Sequence, residues 1–321
     1  MHPTRLLLTA ALLGTASAAP LPTTRADLLS DISLQNYQIS RQAVTTGAVG
    51  AGQLTTLRDL TTGSSLILNS PRANGPVMSA VLQTRNESAA LAFTAATTGR
   101  PDLVNVMKRL YARKEGTFED PRFKLSVRQL DGRMRVSVAV NLRPPEQFSA
   151  DEPVIQAGKA GAGTVRIFTD YGCPYCKELA LNALPQWKKT FPDVRFTVHA
   201  APNTRLHPRA DRAALYAQCV YLTRPASFAA FETRLYAQAA AWMNDATGAA
   251  FGRLVTAAGA DVKAVTKCTL GGSARRAVEG MTAQTRALKL NGTPTVYVNG
   301  VAMQNWTDTA ELRRLLSVTV R

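Results

Sequence analysis

Hydrophobic positions along this chain change their spacing several times, and each change predicts an element. Leu28, Leu29 and Ile32 have the spacing of a short amphipathic helix. Residues 78–84 and, after Asn86-Glu87, residues 88–94 predict a hairpin. Pro101 opens a predicted helix over residues 102–111. Phe123, Leu125 and Val127 alternate with polar residues, as do Val136, Val138 and Val140 beyond Asp131-Gly132, so this stretch predicts a second hairpin. Residues 24–143 therefore read as a small α+β domain. It has no Cys, no His and no glycine-rich phosphate loop, which makes it a binding or assembly module.

Residues 144–163, with Pro144-Pro145-Glu146 and a run of alternating glycines, predict a linker with a short strand at Val154-Ile155. The pattern then changes character. A strand over residues 164–169 runs into Asp170-Tyr171-Gly172-Cys173. A helix starts at Pro174, carries Cys176, Leu179, Leu181, Leu184 and Trp187, and should kink at Pro185. A second strand over residues 194–198 completes a βαβ unit. Residues 208–289 read as helical, with Leu215, Cys219 and Leu222 on one face. Further helices are predicted over residues 228–236, 246–258, 262–268 and 274–288. Strands over 295–298 and 301–303 flank Asn299-Gly300, a type I′ turn signature. A helix over 309–318 follows an Asp308 cap.

The first residues read as an address. Arg5 precedes the apolar run from Leu6 to Leu13, and Ala16-Ser17-Ala18 fits the small-residue cleavage rule, so residues 1–18 predict a signal peptide cut near Ala18. That places the mature chain in the periplasm or outside the cell. A length of 321 residues suits two domains, and 45% hydrophobic with 19% charged residues excludes wholesale disorder. The charge of +16 invites a nucleic-acid reading, but the arginines are scattered and no basic block is interleaved with aromatics. Nucleic acid is therefore not an expected partner.

Four cysteines carry the candidate chemistry. Cys173-Pro174-Tyr175-Cys176 has two readings, a zinc half-site or a redox pair. Neither Cys219 nor Cys268 has a Cys or His within two to five residues, which disfavours zinc. A helix start inside a βαβ unit favours redox chemistry. Helix-end N–H groups and the macrodipole stabilise a thiolate at Cys173, and Cys176 is placed one turn in to resolve a mixed disulfide. Cys219 and Cys268 predict a structural disulfide in an oxidising compartment, the rival being a second redox relay.

From about Gly163 onward the chain resembles the thioredoxin superfamily, specifically DsbA-like thiol–disulfide oxidoreductases and their DsbC/DsbG-type relatives. The resemblance rests on residues 168–176, Phe-Thr-Asp-Tyr-Gly-Cys-Pro-Tyr-Cys, and on Gly292-Thr293-Pro294-Thr295. It implies a thioredoxin fold over residues 164–321 with an all-helical insertion over about 208–289. It also implies a cis-Pro294 facing the redox pair, with Thr293 just before it and the adjoining backbone pairing with substrate; Tyr175, read from its place between the cysteines, either excludes water from the pair or contacts substrate. Two departures stand out. Many relatives carry a buried acid six residues before the first cysteine, where this chain has Ile167; the nearest acid is Asp170, so proton transfer from Cys176 needs water or another group. The N-terminal half also has no match in the DsbA pattern. Isomerase relatives dimerise through such an extra domain, so a homodimer is one arrangement, although no motif in residues 24–143 carries that role over.

The expected protein is thus α/β, a thioredoxin fold preceded by a small α+β domain. It exchanges disulfides with secreted protein substrates and an external redox partner, using no metal or organic cofactor. The redox direction stays open. The alternative is a non-catalytic chaperone or adaptor that uses the same fold to bind unfolded peptide.

Overall fold

The computed structural model describes residues 20–30, 38–47, 50–58, 63–71 and 75–317. The predicted signal peptide and Ile32 lie outside the described residues. The chain divides into two compact units, the first built from Met1–Glu119 and Phe123–Val140, the second from Asp120–Arg122 and Asn141–Arg321.

In the first unit, α1 (Arg25–Ser30) precedes β1 (Gln38–Gly47), β2 (Gly50–Arg58), β3 (Ser65–Ser70) and β4 (Ser79–Thr84). After α2 (Glu87–Thr98) and α3 (Pro101–Arg113) come β5 (Glu115–Glu119), β6 (Phe123–Leu130) and β7 (Arg133–Val140). The seven strands form one antiparallel sheet in the order β1-β2-β3-β4-β7-β6-β5. The period-two pattern decides which side chains are inside. Leu66, Leu68, Ala80, Leu82, Phe123 and Val136 are buried, and so are Phe93 and Met107 on the two helices. Asp131 and Gly132 both take positive φ, as the tight turn between β6 and β7 requires.

Two expectations fail in this unit. Residues 88–94 are helix, not the second arm of a hairpin. The Asn86 side chain accepts the Ala89 N–H, and Gly99 ends α2 in the left-handed region. Thr94, Thr97 and Thr98, β-branched and strand-like on propensity, send their hydroxyls to carbonyls four residues back and are thereby satisfied in a buried helix. Conversely β1 and β2 were not anticipated, because threonines, glycines and glutamines supply little hydrophobic alternation. Pairing with neighbouring strands determines them.

The second unit holds a five-stranded sheet in the order β12-β11-β9-β10-β8. Its strands are β8 (Val154–Gln156), β9 (Thr164–Thr169), β10 (Arg195–Ala200), β11 (Thr295–Val298) and β12 (Val301–Ala302). β9 and β10 are parallel; the other pairings are antiparallel. The segment expected as a linker therefore contains an edge strand of this sheet. Between β9 and β10 run α4 (Pro174–Glu178), a π turn at Leu179–Ala183 and α5 (Leu184–Thr190). Pro185 was expected to kink a continuous helix. It sits in the first turn of α5, directly after the π turn, where a backbone that stays right-handed helical from Glu178 to Leu184 widens to take a residue without an N–H.

Between β10 and β11 come α6 (Ala210–Thr223), α7 (Pro225–Ala237), α8 (Ala239–Met243), α9 (Ala249–Ala257), α10 (Val262–Leu270) and α11 (Gly272–Ala287). α12 (Thr309–Leu316) follows Asp308, whose carboxylate accepts the N–H groups of Ala310 and Glu311. Of the residues placed on one face of α6, Cys219 is fully buried, whereas Leu222 is exposed and does not pack that face. Small residues occupy that role: Ala213, Ala214 and Ala217 let α7, α10 and α11 approach α6 closely.

Candidate active site

β9 is the central strand, and its C-terminal end delivers the chain to the cysteine pair. Asp170, only 1% exposed, organises the turn that follows. One carboxylate oxygen accepts the Gly172 N–H at 2.8 Å; the other accepts the Asn203 N–H at 2.7 Å and lies 2.9 Å from Nδ1 of His207. The Asp170 carbonyl accepts the Cys173 N–H at 3.1 Å, and its own N–H points at the Cys176 sulfur at 3.5 Å. Gly172 is required by close approach, since a Cβ there would lie 2.5 Å from Cβ of His207. Sequence reasoning noted Asp170 as the nearest acid but missed this anchoring role. The only signal was its position between a strand end and a glycine.

Cys173 occupies the N-cap position of α4, with Pro174 in the first turn. Cys173 and Cys176 are both free thiols and both buried, Cys176 the more deeply. The Cys173 sulfur lies 3.3 Å from the Thr293 carbonyl oxygen, so residues 120 apart in sequence meet here. The Thr293–Pro294 peptide is cis, and both residues are half-buried. Tyr175, between the cysteines, is 67% exposed. The structure thus gathers Cys173, Cys176, Thr293 and Pro294 at one place, with Tyr175 facing solvent above them.

The electrostatics separate the two sulfurs. Cys173 is pulled down to about 5, first by the hydrogen bond from Cys176, then by the N–H groups of Cys176 and Tyr175 and by Thr293, against a smaller cost of burial. Burial and that same hydrogen bond push Cys176 upward, out of its ordinary range. At neutral pH the pair therefore holds one thiolate, on Cys173, and one thiol, on Cys176.

Cys219 on α6 and Cys268 on α10 are joined by a disulfide, 49 residues apart in sequence. His199 is fully buried, its ring nitrogens 2.8 Å from Glu152 and from the Met281 carbonyl. Glu152 also accepts from Arg166 and Thr197, so this cluster ties the segment entering β8 to β9, β10 and α11. It is a packing network. His207 braces the Asp170 loop instead of touching a sulfur. Among the described residues, no three His, Cys, Asp or Glu side chains gather as metal donors.

Residues 151–317 match the family model described as thioredoxin, just over half of the chain, and the chain belongs to that family. Several solved structures are similar to its second half. BdbD from Bacillus subtilis is 22% identical, over 52% of this chain and 91% of its own, with a TM-score of 0.44. The thiol-disulfide exchange protein alpha-DsbA2 from Wolbachia pipientis is 18% identical, over 53% and 89%, at 0.47. The catalytic domain of ScsC from Proteus mirabilis is 21% identical, over 53% and 91%, at 0.42. No curated protein matches the chain in sequence.

Proposed function

We propose that this chain is a secreted thiol–disulfide oxidoreductase that acts on protein substrates through Cys173 and Cys176. The observation that carries the reading is the asymmetry of the pair: a stabilised thiolate at a helix N-cap beside Thr293–Pro294, with a protonated, buried partner one turn in. When the pair is oxidised, a substrate thiolate attacks Sγ of Cys173 and Cys176 leaves. A second substrate thiolate then attacks the substrate sulfur of the mixed disulfide, forming the substrate disulfide and expelling Cys173. When the pair is reduced, the Cys173 thiolate attacks a substrate disulfide, and Cys176 displaces the captured sulfur. The backbone beside Pro294 offers the substrate a short strand pairing, which gives affinity with little side-chain preference.

A thiolate held well below the ordinary range of ~8.5 stabilises the reduced form and makes Cys173 a good leaving group. Both effects favour oxidation of substrates. Alkylation of the reduced protein against pH should show one fast thiol, Cys173, with a midpoint near 5. The potential of the pair should lie above roughly −200 mV. A midpoint near the free-cysteine value, or a potential near roughly −270 mV, would remove the oxidative reading.

The first unit is assigned to substrate binding or self-association, with the protein acting in the periplasm or outside the cell. Its edge strands differ. β5 is short and carries Glu115 and Glu119 on an exposed face, a pattern that discourages pairing, whereas β1 is ten residues long. Self-association along β1 should give a sedimentation mass of two chains, reduced to one by a proline placed at Val44. A single-chain mass at all concentrations would assign the unit to substrate alone.

A further inference from the structure

Resolution of the mixed disulfide requires Cys176 to lose a proton, yet its sulfur is almost wholly buried. Ile167 gives β9 no carboxyl, and Asp170 has both oxygens engaged by Gly172, Asn203 and His207. A different path is present. Thr169 directly precedes Asp170, whose N–H points at the Cys176 sulfur at 3.5 Å, and the Thr169 side chain favours the Cys176 thiolate against the rise that burial imposes. The Thr169 hydroxyl lies 2.6 Å from Oη of Tyr236 on α7. Tyr236 lines a cavity of about 100 Å³, together with Ala180, Leu184, Lys188 and Glu232. That volume holds several waters. Glu232 stands one turn before Tyr236 on the same helix face and is itself buried.

Building on the exchange reading above, we propose that the Cys176 proton passes through the hydroxyls of Thr169 and Tyr236 into this cavity, where Glu232 takes it up and returns it to solvent past Lys188. The step balances. As the Cys176 sulfur bonds to Sγ of Cys173, the bond between Cys173 and substrate breaks and the substrate departs as a thiolate. The Cys176 proton moves to Thr169, the Thr169 proton to Tyr236, and the Tyr236 proton through cavity water to the Glu232 carboxylate. In the reverse direction Glu232 supplies the proton to Cys176 as it leaves. Glu232 and Tyr236 are positioning residues, because neither touches the reacting sulfurs.

Titration behaviour agrees with this geometry. Burial raises Glu232 to about 8, opposed by Lys188 on α5, so the carboxyl gains and loses a proton close to neutral pH. Burial keeps Tyr171 and Tyr236 protonated, and both feel the charges of Glu232 and Cys176. The Tyr171 ring packs against that of Tyr236, centroid to centroid 5.1 Å.

The test uses the full chain carrying a glutathione mixed disulfide on Cys173, with glutathione release followed by stopped flow from pH 6 to 9. Glu232→Gln and Tyr236→Phe should each slow release at least about tenfold. Glu232→Gln should also abolish the inflection near 8. Alkylation of Cys173 in the reduced variants should keep its wild-type midpoint. In wild-type protein, the Glu232 carboxyl followed by carbon-13 resonance should titrate near 8. Wild-type release rates and pH profile in both variants would overturn the relay, as would a parallel shift of Cys173 alkylation or a Glu232 titration near the ordinary carboxylate value. A wild-type protein that forms no mixed disulfide would sink the exchange reading first and the relay with it.

Discussion

Replacing Cys173 by serine should abolish thiol–disulfide exchange, lowering the rate on small and protein disulfides by at least about a thousandfold, or about 4 kcal/mol of activation. The size of the loss follows from the chemistry. A serine hydroxyl is not ionised near neutral pH, and an alkoxide is a far poorer leaving group than a thiolate that titrates at about 5. Cys176→Ser should behave differently. The nucleophile survives, the escape step does not, and mixed disulfides between Cys173 and substrates should accumulate and be visible on non-reducing gels. An adaptor that merely binds unfolded peptide would keep its activity in both variants. Retention of function in Cys173→Ser would therefore transfer the protein from the enzyme to the adaptor class.

Removing the second disulfide with Cys219→Ala and Cys268→Ala together should cost about 4 kcal/mol of stability, the loop-closure entropy of a loop of about 50 residues. For a unit of this size that corresponds to a melting temperature lower by roughly 10 °C. The bridge joins α6 to α10 within the helical region, and Cys219 is fully buried in the hydrophobic cluster that also contains Tyr236 and Trp242. The potential of the Cys173–Cys176 pair should stay unchanged, which separates a structural bridge from a second redox relay. Unchanged melting in the double variant, or Cys219 and Cys268 recovered as free thiols from native protein, would end the structural assignment.

Legibility in the sequence was uneven for identifiable reasons. The β6–β7 hairpin and the β11–β12 turn announce themselves because alternating valines and the dipeptides Asp131-Gly132 and Asn299-Gly300 act locally. Residues 88–94 misled because local propensity favours strand, whereas capping by Asn86 and back-bonded threonines make α2. β1 and β2 carry too few apolar residues to register before their partners are in place. In the site, the C-x-x-C spacing was visible because two cysteines one turn apart need no tertiary information. The meeting of Cys173 with Thr293 was legible only through the family resemblance of Gly292-Thr293-Pro294-Thr295, because residues 120 apart in sequence carry no local signal.

What the chain determined by itself is the chemistry that acts within a turn or two: a helix start at Pro174 that favours a thiolate at Cys173, a second sulfur one turn later, and tight turns where Asp-Gly and Asn-Gly occur. Tertiary structure alone decided everything that depends on which side chains share a low-dielectric interior. Folding buries Asp170 under three donors, sets Tyr236 against Thr169, and brings Glu232, 56 positions after Cys176, to the cavity beside that tyrosine. Burial and long-range contact set these charges and proton paths, and neither is encoded in the spacing of neighbouring residues.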